Sequence, residues 1–262
     1  MVVATALALT ATGCTGGAGR KKAAPTTTPA PATSLEASTS VAPTTTAPPV
    51  AVAIVSPLTG LPQPDATKLM RRALVVKIDN ELGARPQAGL NQADVVFEEE
   101  VEGGDSRMAC VFQSTDADPL GPVRSTRSTD VAIVSELNHP LYAFSGGNLV
   151  FLAEIRAAPI VDVGADVKPG AYHRVASHPA PHNLFSSTAG LYAIAPGGAP
   201  PPALFSFRAG AEPAGGAGGS ASHHVAFQFN AGNTTVSWDW DPSVQGWRRG
   251  QNGTVHLDAS GA

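Results

Sequence analysis

The chain has 262 residues and a net charge of −4 at pH 7, and 15% of its residues are charged. This length is enough for one large domain or two small ones with a buried core. The mild acidity argues against a nucleic-acid partner, which would need a basic protein surface. No apolar run in the sequence reaches the roughly 18 residues that a membrane-spanning helix needs.

The N-terminus has the pattern of a lipoprotein signal peptide. Residues 1–13 are uncharged and mostly apolar, and they lead through LTATG into Cys14. This pattern predicts a signal peptide over residues 1–13 that ends at a bacterial lipobox, with Cys14 as the acylated first residue of the mature protein. Several acyl chains on one cysteine would anchor the protein stably to the membrane. The alternative is an ordinary secretory signal followed by an incidental cysteine.

Residues 14–55 are dominated by Thr, Pro, Ala and Ser. A segment of this composition cannot bury enough apolar surface to offset the entropy lost on ordering, so we predict a disordered tether. The tether would hold a folded region away from the membrane, on the extracytoplasmic face of the bacterial cell envelope.

Residues 56–200 predict an α/β domain. Strands are expected at 72–80, 93–104, 107–113, 139–147 and 160–163, and helices at 128–138 and 148–158. In the first strand, Leu74, Val76 and Ile78 alternate with Ala73, Val75 and Lys77, so the two sets lie on opposite faces. Strands that alternate with helices indicate a mixed sheet with flanking helices.

Residues 201–262 predict the start of a small β-rich domain. The segments 223–230 and 234–258 have the pattern of short strands joined by Pro and Gly turns. The final HLDASGA supplies no closing strand, and residues 1–13 lack the basic start of a signal peptide. We therefore expect the second domain to be incomplete and the gene product to be longer at both ends.

Two arginines in the segment GPVRSTR, Arg124 and Arg127, come just before a predicted helix. The planar arginine side chain binds phosphate or carboxylate through two parallel hydrogen bonds, and a helix N-terminus favours anions. Ser125 could add a hydroxyl donor, and Gly146 and Gly147 form a second turn between a strand and a helix. The two arginines either contact an anionic ligand or pair with the acidic strand near residue 100.

Four carboxylates of the acidic strand are separated by even numbers of positions, which would place them on one face. These are Asp94, Glu98, Glu100 and Glu102. Such a row could hold Mg²⁺ or Ca²⁺ or raise the pKa of a catalytic carboxylate, with Glu98, Glu102 and Asp79 as the catalytic candidates. The alternative is a solvated strand face or a set of partners for the arginines. Asp79 closes the first strand, where open α/β sheets bind ligands.

Other loop residues could belong to the same site. Arg85 and Arg107 follow or precede turn-forming residues and could converge with Arg124 on one pocket, or else anchor their own loops. His182 and Asn183 form a polar pair that lies beside the predicted site or makes a turn. The three histidines of HRVASHPAPH have a spacing that fits no usual zinc site, so no metal centre is predicted there.

Five segments stand in an order that resembles the YerB-like lipoprotein family, catalogued as domain of unknown function 3048. They are IDN (78–80), ARPQAGLNQADVVFE (84–98), VEGGDSR (101–107), GPVRSTR (121–127) and APHNLF (180–185). The resemblance runs from about Pro57 to the end of the chain. It implies an envelope lipoprotein with an N-terminal domain and a smaller C-terminal one, and it brings no established activity.

A fainter resemblance is to the LytR-CpsA-Psr envelope phosphotransferases. It rests on Arg85-Pro86, Asp94, Val123-Arg124 and the turn YAFSGG at 142–147. In those enzymes arginines and acidic groups handle a polyprenyl pyrophosphate, and an Asp follows the loop arginine. Here Ser125 stands in that place, so the resemblance serves as an analogy only.

The combined prediction is a membrane-anchored lipoprotein that binds an anionic envelope ligand, such as peptidoglycan or a lipid-linked glycan, through loop arginines. The first alternative is a phosphotransferase-like enzyme acting on a polyprenyl pyrophosphate. In it, Arg85, Arg124 and Arg127 would hold the phosphates, and carboxylates would hold Mg²⁺. The second is a scaffold for envelope-synthesis proteins that binds no small ligand and exposes a large apolar patch.

Overall fold

The computed structural model describes residues 54–207, 222–229 and 234–262. The predicted signal peptide at 1–13, Cys14 and all but the end of the predicted tether lie outside the described residues. The described helices are α1 Ala66–Leu69, α2 Asp130–Ser135, α3 Leu149–Ala157 and α4 Thr188–Ile194. The described strands are β1 Leu74–Asp79, β2 Val95–Glu100, β3 Ser106–Phe112, β4 Leu141–Ala143, β5 Val161–Asp162, β6 His173–Arg174, β7 Leu184–Phe185, β8 His224–Gln228, β9 Thr235–Asp241, β10 Gly246–Gln251 and β11 Thr254–Val255.

A five-stranded mixed sheet with the order β2-β3-β1-β4-β5 forms the centre of the molecule. β1 pairs antiparallel with β3 on one side and parallel with β4 on the other. β2 continues the antiparallel side, and β5 continues the parallel side. This arrangement confirms the predicted mixed α/β sheet, and the antiparallel strands near residues 100 and 110 account for its mixed character.

The central strand β1 is buried along its whole length. Leu74, Val76 and Ile78 pack in one hydrophobic cluster together with Leu191 of α4. Ala73 and Val75 pack in a second cluster, which Val134 of α2 and Ile155 of α3 complete. The alternation predicted from the sequence is therefore confirmed, and helices cover both faces of the strand. Among the residues described, no helix has the length and apolar character to cross a membrane.

The N-terminus of α2 lacks the usual cap, because the N-cap residue Thr129 makes no side-chain cap bond. Instead the Asp130 carboxylate accepts a hydrogen bond from the backbone N–H of Arg127 at 2.7 Å. In α3, Asn148 caps in the usual way, with its side-chain oxygen accepting from Val150.

The C-terminal strands form a separate antiparallel sheet with the order β11-β10-β9-β8, as predicted for a small β-rich region. Polar contacts join it to the five-stranded sheet. Arg249 of β10 forms an ion pair with Glu98 of β2, and Gln251 accepts a hydrogen bond from the Asn80 amide at 2.9 Å. The boundary predicted near residue 200 stays a prediction.

Candidate functional site

The segment from Gly121 to Arg124 lies along β1 because β4 is too short to cover that edge. β4 pairs only with Leu74–Val76, which leaves the last three residues of β1 open on that side. The loop fills this place: the N–H of Asp79 donates to Pro122, and the N–H of Arg124 donates to Lys77. Arg124 is therefore fixed by backbone hydrogen bonds beside the carboxyl end of the central strand.

Asp79, the last residue of β1, organises the side chains around it. Its carboxylate is fully buried, and its Oδ2 atom accepts from Nε of Arg124 at 2.7 Å and from Nδ1 of His182 at 2.8 Å. Its Oδ1 atom accepts from the N–H of Glu81 at 3.3 Å. A single buried carboxylate thus fixes an arginine and a histidine relative to each other.

Glu81 is near two arginines and a histidine of this group, but all of these contacts are long. Its Oε1 atom is 3.5 Å from Nη2 of Arg124 and 3.8 Å from Nη2 of Arg107, and its Oε2 atom is 3.7 Å from Nε2 of His182. All three distances exceed the roughly 2.7–3.2 Å of ordinary hydrogen bonds. The Glu81 side chain is also 35% exposed, so it lies at the mouth of the group.

Arg107 is more deeply buried than Arg124. It is 5% exposed, Nη1 donates to the carbonyl of Ser125 at 3.1 Å, and Nε is buried without a hydrogen-bond partner. Burial and the nearby charges of Arg127 and Arg124 lower the pKa of Arg107 from its ordinary value. We call the set Asp79, Glu81, Arg107, Arg124 and His182 the arginine site.

Of the residues predicted for a ligand site, the structure thus brings together Asp79, Arg107, Arg124 and His182. The backbone carbonyl of Ser125 contacts Arg107 and is also part of this region. Glu81 was missed by the sequence analysis, because the loop sequence ELGA gives no sign that its carboxylate turns back toward the arginines.

Arg127 has a different environment. Its Nε and Nη2 atoms lie 2.7 Å from Oε2 of Glu102, which is 65% exposed, and Nη1 donates to the carbonyl of Thr126. The pair of Arg127 and Glu102 is the structural ion pair weighed as the alternative for these arginines. Glu102 itself lies in a 3-10 turn after β2 has ended at Glu100.

The remaining predicted residues lie in other contacts. Nη2 of Arg85 donates to the carbonyl of Asn80 at 2.8 Å. Glu98 accepts from Arg249 and from Ser106, between the two sheets. The Asn183 side chain accepts from Arg174. The acidic row of β2 is therefore divided among separate partners.

The glycine turn lies against the arginine loop. The carbonyl of Gly146 accepts from the N–H of Thr126 at 3.0 Å, and a Cβ atom on Gly147 would lie 2.9 Å from the Thr126 methyl group. The left-handed φ of +69° at Gly146 also favours glycine. These two glycines shape the support of the loop, and a direct role in binding stays a prediction.

A second charge cluster is centred on Lys77, two residues before Asp79 in β1. Lys77 is fully buried, and its Nζ atom contacts the Glu99 carboxylate and lies 2.8 Å from Oδ1 of Asp130. Thr129 donates to Glu99, and Thr126 donates to Asp130. We call the set Lys77, Glu99 and Asp130 the lysine cluster.

The lysine cluster contains two carboxyl groups and one lysine, all shielded from solvent. Burial raises the pKa of Glu99 to about 7, and the negative charge of Asp130 acts in the same direction. The pKa of Asp130 is lowered despite its burial, chiefly by the charge of Lys77. Near neutral pH, Asp130 is therefore ionised, while Glu99 is close to half protonated.

The predicted role of a divalent cation was compared with the positions of the described acidic and histidine side chains. Within residues 54–207, 222–229 and 234–262, no group of three or more His, Cys, Asp or Glu side chains is placed to hold a metal ion. The possible role of Mg²⁺ or Ca²⁺ therefore remains an untested prediction for this protein.

A cavity of about 800 Å³ lies between the edge of the five-stranded sheet and the C-terminal sheet. Its walls include Val96, Met108, Trp238 and Trp247. Polar groups that line it bind one another: Arg249 pairs with Glu98 and donates to Nδ1 of His256, and Nε2 of His256 donates to Oε1 of Gln87 at 2.7 Å. Burial and the charge of Arg249 lower the pKa of His256 to about 4, so its ring is neutral near pH 7.

Comparison with known families agrees with the sequence resemblance. The family described as "Protein of unknown function (DUF3048) N-terminal domain" matches residues 58–199, more than half of the chain. The chain belongs to this family. The predicted membership is therefore confirmed, and the arginine site lies entirely within the matched residues.

Relatives of the DUF3048 family extend the match to most of the chain. The Bacillus subtilis (strain 168) protein named "Putative lipoprotein YerB" is 28% identical over 221 residues, which are 80% of this chain and 64% of that protein. This chain thus spans less than two thirds of that relative's length. A crystal structure of the YerB protein from Bacillus subtilis matches with a TM-score of 0.64 at 24% identity, over 79% of this chain and 70% of that one. The shared fold supports the α/β assignment.

Proposed function

We propose that this DUF3048 protein is a membrane-anchored lipoprotein on the extracytoplasmic face of the cell envelope, and that it binds an anionic envelope ligand at the arginine site. The lipobox ending at Cys14 and the lipoprotein name of the Bacillus subtilis relative support the anchor. Residues 14–55 would connect the anchor to the folded region. The ligand would be a phosphate- or carboxylate-bearing group of peptidoglycan or of a lipid-linked glycan.

The position of Glu81 is the observation that carries this proposal. A carboxylate lies among Arg107, Arg124 and His182, but at 3.5–3.8 Å from all three. Arginine binds a well-placed anion at about 2.7–2.9 Å. These long contacts support the proposal, because an anion site could hold an internal carboxylate in this way. A ligand anion could displace the exposed Glu81 side chain and take shorter hydrogen bonds.

The charges around the site also favour a bound anion. Arg107 and Arg124 contribute two positive charges, which buried Asp79 and displaceable Glu81 oppose. When Glu81 moves out into solvent, one positive charge remains uncompensated. Because the Arg124 backbone and the Asp79 carboxylate are already fixed, little entropy is lost in arranging the donors.

Calorimetric binding of inorganic pyrophosphate to the full chain in detergent tests this proposal. Arg124→Ala should weaken binding about 10- to 100-fold, because hydrogen bonds to charged groups contribute roughly 1.5–3 kcal/mol. Arg248→Ala is the matched control. Arg248 also forms an arginine–aspartate pair, with Asp241, but it lies on β10 of the other sheet.

Equal loss of pyrophosphate affinity in the Arg124 and Arg248 variants would contradict the arginine site, since it would indicate only general electrostatic attraction. The absence of binding by the unaltered chain, for pyrophosphate and for muropeptides, would instead favour a scaffold that binds proteins.

A further inference from the structure

His182 is held in an orientation that suits proton transfer. Its Nδ1 atom lies 2.8 Å from the buried Asp79 carboxylate, so the Nδ1 proton is donated to that oxygen. The other ring nitrogen, Nε2, then carries a lone pair when the ring is neutral. Fixing one tautomer in this way is what a carboxylate does for a histidine general base.

The free nitrogen of His182 faces the mouth of the arginine site. Nε2 lies 3.7 Å from Oε2 of Glu81, beyond hydrogen-bond distance, and the His182 side chain is 13% exposed. The charged groups facing the ring are Asp79, Glu81 and, through its bond to the same Asp79 oxygen, Arg124.

The ring also has little freedom to turn away. A Cβ atom built on Gly83 would lie 3.1 Å from Cδ2 of His182, so the ring packs closely against the backbone of the short 3-10 turn Leu82–Ala84. The backbone N–H of His182 donates to the carbonyl of Pro179 at 2.9 Å. The turn backbone beside the ring and the fixed backbone of His182 itself therefore limit the movement of the imidazole.

The other residues of the arginine site could stabilise negative charge on a bound phosphate group. Nε of Arg124 and Nδ1 of His182 bind the same oxygen of Asp79, which places the arginine fork beside the imidazole. With Glu81 displaced, Arg107, Arg124 and Asp79 sum to one positive charge. This matches the single negative charge of a phosphodiester.

We propose that the arginine site hydrolyses phosphodiesters, with His182 as the general base and Asp79 as its positioning residue. The proposal rests on the anion binding proposed above. Water attacks phosphorus and gives its proton to Nε2 of His182 as the new P–O bond forms. The bond to the leaving oxygen breaks with its electron pair, and the leaving alkoxide takes up the proton from His182. Arg107 and Arg124 stabilise the negative charge on the phosphoryl oxygens.

Hydrolysis of bis(p-nitrophenyl) phosphate by the full chain in detergent tests this activity, because p-nitrophenolate leaves without needing a proton and is detected by its colour. The assay contains EDTA, so that traces of metal-dependent phosphodiesterases are silent. We expect turnover by the unaltered chain, with pyrophosphate as a competitive inhibitor, and similar turnover by Arg248→Ala.

Variants separate the roles of the two residues. His182→Ala should lower kcat about 100-fold, since general acid–base catalysis contributes roughly 10²–10⁴-fold, and added imidazole should restore part of the rate. Asp79→Asn should lower kcat and alter the pH–rate profile, because an amide no longer selects the Nδ1–H tautomer. A purely structural role for His182 would give neither imidazole rescue nor a changed pH profile.

The outcomes also separate this activity from binding alone. Pyrophosphate binding without any turnover by the unaltered chain would overturn the hydrolysis proposal and leave the anion site intact. Failure to bind pyrophosphate and failure to hydrolyse the ester would overturn both. Turnover that is unchanged in His182→Ala would rule out His182 as the base.

Discussion

The lysine cluster and the arginine site begin two residues apart on the same face of β1, yet their charges are matched very differently. Lys77 is fully buried between two carboxyl groups, with threonine hydroxyls completing the contacts. In the arginine site, Glu81 makes only long contacts and Nε of Arg107 has no partner. The short contacts among buried groups in the lysine cluster suit a role in stability. The long contacts of the partly exposed Glu81 suit its replacement by a ligand anion.

The largest difference should appear when the positive charge of each cluster is removed. Lys77→Met leaves two buried carboxyl groups without their cation and should cost about 3–5 kcal/mol of unfolding free energy. Arg124→Ala should cost about 1–2 kcal/mol, because Asp79 keeps its hydrogen bonds from His182 and from the N–H of Glu81. Urea denaturation of both variants measures these losses.

An equal loss of stability in the Lys77 and Arg124 variants would break the comparison. It would mean that the arginine site is as much a structural pair as the lysine cluster. Arg248→Ala, which removes one member of an exposed pair, sets the baseline for losing an arginine.

The pH dependence of stability sharpens the description of the lysine cluster. The pKa of Glu99 rises from 4.5 to about 7 on burial, so the folded protein binds this proton more tightly than the unfolded chain does. Glu99 therefore makes the unfolding free energy fall as the pH rises from about 4.5 to about 7. In Glu99→Gln this fall, roughly 3 kcal/mol at about 1.4 kcal/mol for each pKa unit, should be lost.

Urea denaturation at pH 5 and pH 7 measures the effect of Glu99. The unaltered chain should lose more stability between these two pH values than the Glu99→Gln variant. The same pH dependence in both proteins would show that Glu99 does not hold its proton in the folded state.

The smallest effect is expected for Arg127, which the sequence placed in the ligand site. Its partner Glu102 is 65% exposed, and exposed pairs contribute about 0–1 kcal/mol. Arg127→Ala should therefore change pyrophosphate affinity less than about threefold at 0.15 M salt, because the charge of Arg127 is already paired with Glu102 and salt weakens its remaining effect. A tenfold loss in the same calorimetric experiment would extend the site to Arg127, as the sequence analysis proposed.

Much of the fold could be predicted from the sequence because the central elements have strong local patterns. The alternation in β1 identified both of its faces correctly, and the helix predicted at 148–158 is present as α3. The buried partners of Lys77 could also have been predicted, because a lysine in a strand of otherwise apolar residues must find buried partners.

The site was only partly predictable. Arg124 and His182 were singled out by residue type and by their turns, but their meeting at Asp79 depends on the short β4, which leaves an edge of β1 open to the loop. The carboxylates of Glu98 and Glu102 were grouped by strand periodicity. They separate because β2 ends at Glu100 and because Arg249, 151 residues away, pairs with Glu98. Local pattern carries no information on such distant partners.

The central claim is that Glu81 occupies the place of a ligand anion, and the affinity of Glu81→Gln for inorganic pyrophosphate tests it most directly. Glutamine keeps the shape of the side chain but removes the competing charge. If the claim is correct, calorimetry of the full chain should show binding about five- to tenfold tighter than that of the unaltered chain, since loose, exposed charge contacts contribute roughly 1 kcal/mol. Unchanged or weaker binding would contradict it, because Glu81 would then be a fixed part of the site.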